Sequence, residues 1–152
     1  TSDIKVELKE TTGAEYKMIP GYTIGKDPKA TVLAGSEECY LFVKLEKSSN
    51  FDTYLEYAIA DGWTQLTTDK DGKAITDLVY YRQVLTKDIG TAYRVLANDQ
   101  VTVSGDITKE QMNAITDATL PKLTITAYAS QLYKSAGVEF TAAQAWTNIA
   151  NK

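Results

Sequence analysis

The sequence contains no histidine, a single cysteine, two arginines, three prolines and two methionines. Without an imidazole it can build neither a Ser-His-Asp nor a Cys-His nucleophile system, no HExxH zinc site and no imidazole general base. Two arginines, Arg82 and Arg94, are few for phosphate recognition, and no glycine-rich phosphate loop is present. No apolar run reaches the length of a membrane span, and no signal-peptide h-region is present. The formal charge of −4 disfavours nucleic acid and anionic membrane surfaces as partners. No catalytic residue, metal or cofactor is therefore expected.

What is present describes an ordinary folded domain. The 152 residues fit one compact unit, with 43% hydrophobic and 24% charged residues. The lone Cys39 has no internal disulfide partner. It opens the run Cys39-Tyr40-Leu41-Phe42-Val43-Lys44-Leu45-Glu46, in which strand alternation puts Cys39, Leu41, Val43 and Leu45 on one face. That face is uniformly apolar, so Cys39 reads as a buried, inert thiol. Tyr40, Phe42, Lys44 and Glu46 fall on the opposite face, which the pattern leaves pointing outward.

Ten tyrosines and repeated valine, isoleucine and threonine runs predict β structure. Strands are expected at 3–9, 29–33, 39–46, 79–85, 92–96, 100–104 and 123–130. Two more, at 54–59 and 63–66, flank Asp61-Gly62, a two-residue hairpin signal. Thr108-Lys109-Glu110-Gln111 and Thr141-Ala142-Ala143-Gln144 carry capping-box spacing ahead of apolar residues at helical intervals. Eight or nine short strands with one or two short helices predict an all-β, jelly-roll-like β-sandwich.

The amino-terminal segment alternates cleanly, with Ile4, Val6 and Leu8 on one face and Lys5, Glu7 and Lys9 on the other. The polar stretch Glu10 to Glu15 then reads as a flexible tether. Such a strand pairs equally well within its own domain or with the open edge of a neighbouring molecule, because the same main-chain bonds form either way. The expected organisation is a strand and tether over 1–12 and a sandwich domain over 13–152. The chain opens on Thr1, which fits removal of an export signal or trimming of the terminus.

Other groups carry less. Asp69-Lys70-Asp71-Gly72 resembles the start of a calcium loop, but Tyr80 stands where a twelfth-position glutamate belongs, so a solvated hairpin loop is expected. Glu37 and Glu38 are adjacent on an extended segment and point to opposite faces. Tyr40, Phe42, Trp63, Tyr80 and Arg82 are candidate surface contacts for a sugar or a partner protein. Cross-strand aromatic pairing within the domain is the competing reading.

Glu15 to Pro28, followed by Ala30-Thr31-Val32, resembles the amino-terminal signature of the TasA/camelysin family. Tyr40 to Lys44, Ala60-Asp61-Gly62-Trp63, Val79 to Arg82, Leu123 to Gln131 and Phe140 to Trp146 are also similar to that family. The resemblance implies a secreted jelly-roll protein of Gram-positive bacteria, processed by a SipW-type signal peptidase. It also implies a subunit of extracellular matrix fibres in which the amino-terminal segment of one molecule complements the sheet of the next.

Carried over here, Thr1 to Glu10 would be the donor, with Ile4, Val6 and Leu8 entering the neighbour's groove. A head-to-tail contact of this kind does not close on itself and produces a filament. The partners implied are the chain itself and accessory matrix or anchoring proteins, at an extracellular or cell-surface location. Members described as metallopeptidases imply a zinc activity that a chain without histidine is poorly equipped to perform. No LPxTG-like sorting motif is present, so covalent wall attachment is not expected. A monomeric surface module that holds a glycan or a protein is the alternative expectation.

Overall fold

The computed structural model describes residues 3–12 and 16–152 and shows an all-β sandwich with three short helices. Thr1, Ser2 and the tether residues Gly13, Ala14 and Glu15 lie outside the described residues. One layer is a four-stranded antiparallel sheet in the order β10 (Leu123–Gln131), β4 (Cys39–Lys47), β7 (Leu78–Val84) and β6 (Thr64–Gln65). The opposite layer contains β1 (Val6–Lys9), β3 (Lys29–Val32) and β8 (Ala92–Arg94), together with β2 (Thr23–Gly25), β9 (Gln100–Val103) and β5 (Leu55–Glu56).

The two groups join through one chain pair, β2 and β3 against β9 and β8. Thr23 lies opposite Thr102 and Gly25 opposite Gln100, whereas Lys29 lies opposite Arg94 and Thr31 opposite Ala92. The register therefore slips by two residues between them, while Lys26 N–H still donates to Asp99 O at 2.8 Å and Val95 N–H to Pro28 O at 3.1 Å. Asn98 and Asp99 absorb the slip as a bulge, with φ of 59° and 50°.

Successive connections pass back and forth between the layers: β3 to β4, β4 to β5, β5 to β6, β7 to β8 and β9 to β10. This crossing keeps both layers antiparallel although most paired strands are distant in sequence, as in jelly-roll folds.

Expected strands appear, although 54–59 is reduced to Leu55–Glu56 and 3–9 to Val6–Lys9, and both capping boxes form. In α2 (Lys109–Ala114), Thr108 Oγ1 accepts from Gln111 N–H at 3.1 Å and Gln111 Oε1 from Thr108 N–H at 2.9 Å. Thr141 and Gln144 repeat the arrangement at 3.1 and 3.0 Å ahead of α3 (Ala142–Thr147). A third helix, α1 (Phe51–Tyr54), the strand β2 and a carboxy-terminal hairpin of β11 (Tyr133–Ser135) and β12 (Val138–Glu139) were not expected.

The hairpin expected around Asp61-Gly62 is a correction. The turn exists, with Gly62 at φ +95°, but its flanks do not pair with each other. Leu55 and Glu56 pair with β9 and Ile59 bridges to Leu96, whereas Thr64 and Gln65 pair with β7. The turn is thus a crossover between layers. Tyr54 closes α1 instead of beginning a strand, and its hydroxyl donates to Gln111 O at 2.7 Å.

The main core fills the space between the layers. Ala30, Val32, Cys39, Leu41, Val43, Val84, Val95, Leu96 and Val103 are fully enclosed there. A second core lies on the other face of the β10–β4–β7 sheet, where Tyr40, Phe42, Val79, Leu132, Ala145 and Trp146 are buried. Among the described residues, no helix is long and apolar enough to cross a membrane.

Candidate functional site

The amino-terminal strand occupies an edge of its own domain. Val6, Glu7, Leu8 and Lys9 lie opposite Val32, Thr31, Ala30 and Lys29 of β3. Its alternation brings Ile4, Val6 and Leu8, all half-buried, onto the main core, and the strand also lies near β10, the edge of the other layer. The side of β1 away from β3 has no strand partner among the described residues. Here β1 is paired within the domain, the first of the two arrangements its sequence allows.

Both ends of the strand are fastened by side chains. At the start, Lys5 N–H donates to Ser36 Oγ at 2.9 Å and Leu33 N–H donates to Lys5 O at 2.8 Å. Beyond the other end, the Asp27 carboxylate accepts from Thr11 N–H at 2.8 Å, from Thr12 N–H at 3.0 Å and from the Thr11 hydroxyl. The Thr11 hydroxyl first, then these two amides, hold the Asp27 carboxyl well below the usual carboxylate range. Lys26 Nζ lies 3.2 Å from Glu10 in the same place. Glu10, Thr11 and Thr12 are therefore pinned, which corrects the reading of this part of the tether as flexible.

Past this clip, an apolar pocket of about 340 Å³ is lined by Tyr16, Ile24, Phe51, Leu55 and Leu123, with Glu10 and Thr12 at its rim. The Tyr16 hydroxyl donates to Pro121 O at 2.6 Å, and burial raises its pKa.

The candidate surface contacts separate into two groups. Tyr40 and Phe42 are not surface residues, being 5% and 0% exposed. Helix α3 lays Trp146 against Phe42, with ring centres 5.1 Å apart, and the Tyr40 hydroxyl donates to Phe140 O at 2.7 Å. Strand alternation identifies the second face of β4, but the carboxy-terminal elements that cover it come from a hundred residues farther along.

Tyr80 is half-buried on the main-core side, so it too offers little surface. Trp63 and Arg82, by contrast, meet. The Arg82 guanidinium carbon lies 4.9 Å from the Trp63 ring centre and 3.9 Å from that of Tyr93. The Trp63 indole N–H donates to Arg94 O at 2.9 Å. Burial lowers the Arg82 pKa from its ordinary value. Sequence reading missed Tyr93 and Arg94, whose only signal was membership of an expected strand.

Cys39 is enclosed, and burial pushes its thiol up to about 12. In the Asp69 loop, Asp69 Oδ1 accepts from Asp71 N–H at 2.8 Å and Lys73 N–H at 2.9 Å, so the carboxylate braces its own turn. The described residues hold no group of three or more acidic, cysteine or histidine side chains that could hold a metal ion.

No family model matches this chain, and comparisons with curated proteins and with solved structures also return no match.

Proposed function

We propose that this chain is a non-catalytic structural subunit of an extracellular, biofilm-matrix-like protein filament. Its subunits would assemble head-to-tail by exchange of the amino-terminal strand. One observation carries the reading: β1 is a one-sided edge strand whose apolar residues Ile4, Val6 and Leu8 close the main core beside β3. A second copy of the same segment meets the same β3 hydrogen-bonding groups and the same apolar seat.

Residues 10–22 separate β1 from β2, a connection of 13 residues. Extended, such a connection spans about 45 Å, enough to reach an adjoining subunit once the Asp27 clip opens. Each molecule would then give its strand forward and receive one from behind, a relation that propagates without closure. The resemblance to the TasA/camelysin family supports the same reading, as does the lack of imidazole chemistry. Accessory matrix or anchoring proteins would be further partners.

The test compares the full chain with a variant lacking residues 1–10 by negative-stain electron microscopy at high concentration. Filaments in the full chain alone, and their suppression by an excess of a peptide of residues 1–10, are the expected results. Filaments in both samples, or discrete monomers in both, overturn strand exchange.

A further inference from the structure

Both arginines of the chain, on different strands and in different layers, line one cleft. The cleft measures about 480 Å³, within the range of small-molecule sites (roughly 300–1,000 Å³), and Asp61, Tyr93 and Asn98 also line it. The two guanidinium groups differ. Arg94 Nε lies 3.0 Å from Asp99 Oδ2, so its charge is partnered. Arg82 makes no ion pair and no hydrogen bond among the described residues, and the Asp88 carboxylate acts on its charge only from a distance. Its position is instead held by the Trp63 and Tyr93 rings and by the close approach of Gly62.

A guanidinium fixed by stacking keeps its planar fork of N–H donors free and loses little further freedom when it binds. Its natural complement is a planar carboxylate accepting two parallel hydrogen bonds. Asp61 on the rim and the Asp99 carboxylate behind Arg94 make the surroundings suit a single negative charge better than the double charge of phosphate. Asp61 and the Asn98 amide also supply acceptors for hydroxyl groups beside that carboxylate.

Two further features lie at Asn98 of the cleft lining and at its neighbour Asp99. Asn98 and Asp99 hold consecutive left-handed conformations, and Asp99 Oδ1 is buried without a partner. Strain and an unsatisfied polar atom of this kind persist where the surrounding structure enforces them, often beside binding sites.

We infer that this cleft binds a uronate, a sugar ring bearing one carboxylate, with the carboxylate on Arg82 and ring hydroxyls on Asp61 and Asn98. The site lies apart from β1 and does not depend on polymerisation.

The experiment is an NMR titration of the full chain that follows the Arg82 Nε–H and Trp63 indole N–H signals. Glucuronate is the probe, with glucose and inorganic phosphate as comparisons. Saturable shifts at both signals are expected with glucuronate, none with glucose, and binding of phosphate weaker by about tenfold or more. Arg82→Gln is expected to weaken glucuronate binding by about tenfold or more, with the Trp146 indole signal unchanged as the sign of an intact fold. The rim variant Asp61→Ala, which leaves the aromatic stack in place, is expected to reduce glucuronate binding severalfold. Absence of glucuronate shifts, equal shifts with glucose, or phosphate binding as tight as glucuronate each overturns the assignment. So does unchanged glucuronate binding by a folded Arg82→Gln protein.

Discussion

Gly62 lies so close to Arg82 that a Cβ at this position would overlap a terminal guanidinium nitrogen and stand 3.0 Å from the guanidinium carbon. The backbone there has φ +95°, a conformation that L side chains rarely adopt. One glycine thus turns the crossover between layers and leaves room for the arginine that stacks on Trp63 and Tyr93.

Gly62→Ala meets both obstacles together. It is expected to destabilise the fold by about 1–3 kcal/mol and to displace Arg82 from the Trp63 face. Thermal melting reads the first effect, and a change in tryptophan fluorescence without a change in far-ultraviolet circular dichroism reads the second.

The clip on the amino-terminal strand predicts a pH response. The folded-state pKa of Asp27 is lowered by its Thr11 and Thr12 hydrogen bonds, so the stability it contributes is present above the unfolded aspartate value. That contribution is lost as pH falls below about 4, the ordinary aspartate range. Asp27→Asn is expected to flatten the pH dependence of stability in this acid range. At neutral pH it is expected to speed amide exchange at Thr11 and Thr12, read by hydrogen exchange.

The second core is expected to be as important to stability as the first. Trp146 packs on both Phe42 and Tyr128, with ring centres 5.1 and 5.6 Å apart. Trp146→Ala should cost about 3–5 kcal/mol, the range for truncating a large buried aromatic, measured by denaturant unfolding. A surface role for this face would predict little change.

Cys39 should be silent in the native state. Its enclosure and the rise of its thiol to about 12 leave almost no thiolate at pH 8. An aromatic disulfide reagent should therefore react only after unfolding. Rapid reaction with the native protein would contradict this placement.

Much of the fold was legible from local chemistry. The Thr108–Gln111 and Thr141–Gln144 capping boxes are local signals and form where expected. The burial of Cys39, Leu41, Val43 and Leu45 follows from strict alternation on a central strand. Of the candidate contacts, Trp63 and Arg82 meet, which no local signal announced, and alternation put Tyr40 and Phe42 outside because nothing local announces α3 packing over them. The Asp61-Gly62 turn was legible as a turn and illegible as a crossover, since turn residues specify backbone angles and not which strand lies next.

Residue type and pattern alone establish the β class, the starts of α2 and α3, the buried thiol and the exclusion of imidazole chemistry. These depend on residue type, period and φ preference within a few positions. Long-range packing settles that β1 sits beside β3, that the second face of β4 is a core, and that Arg82 and Arg94 share a cleft. The physical reason is common to all three. Periodicity says which side chains share a face, whereas what lies opposite that face is set by the long-range packing of the two layers.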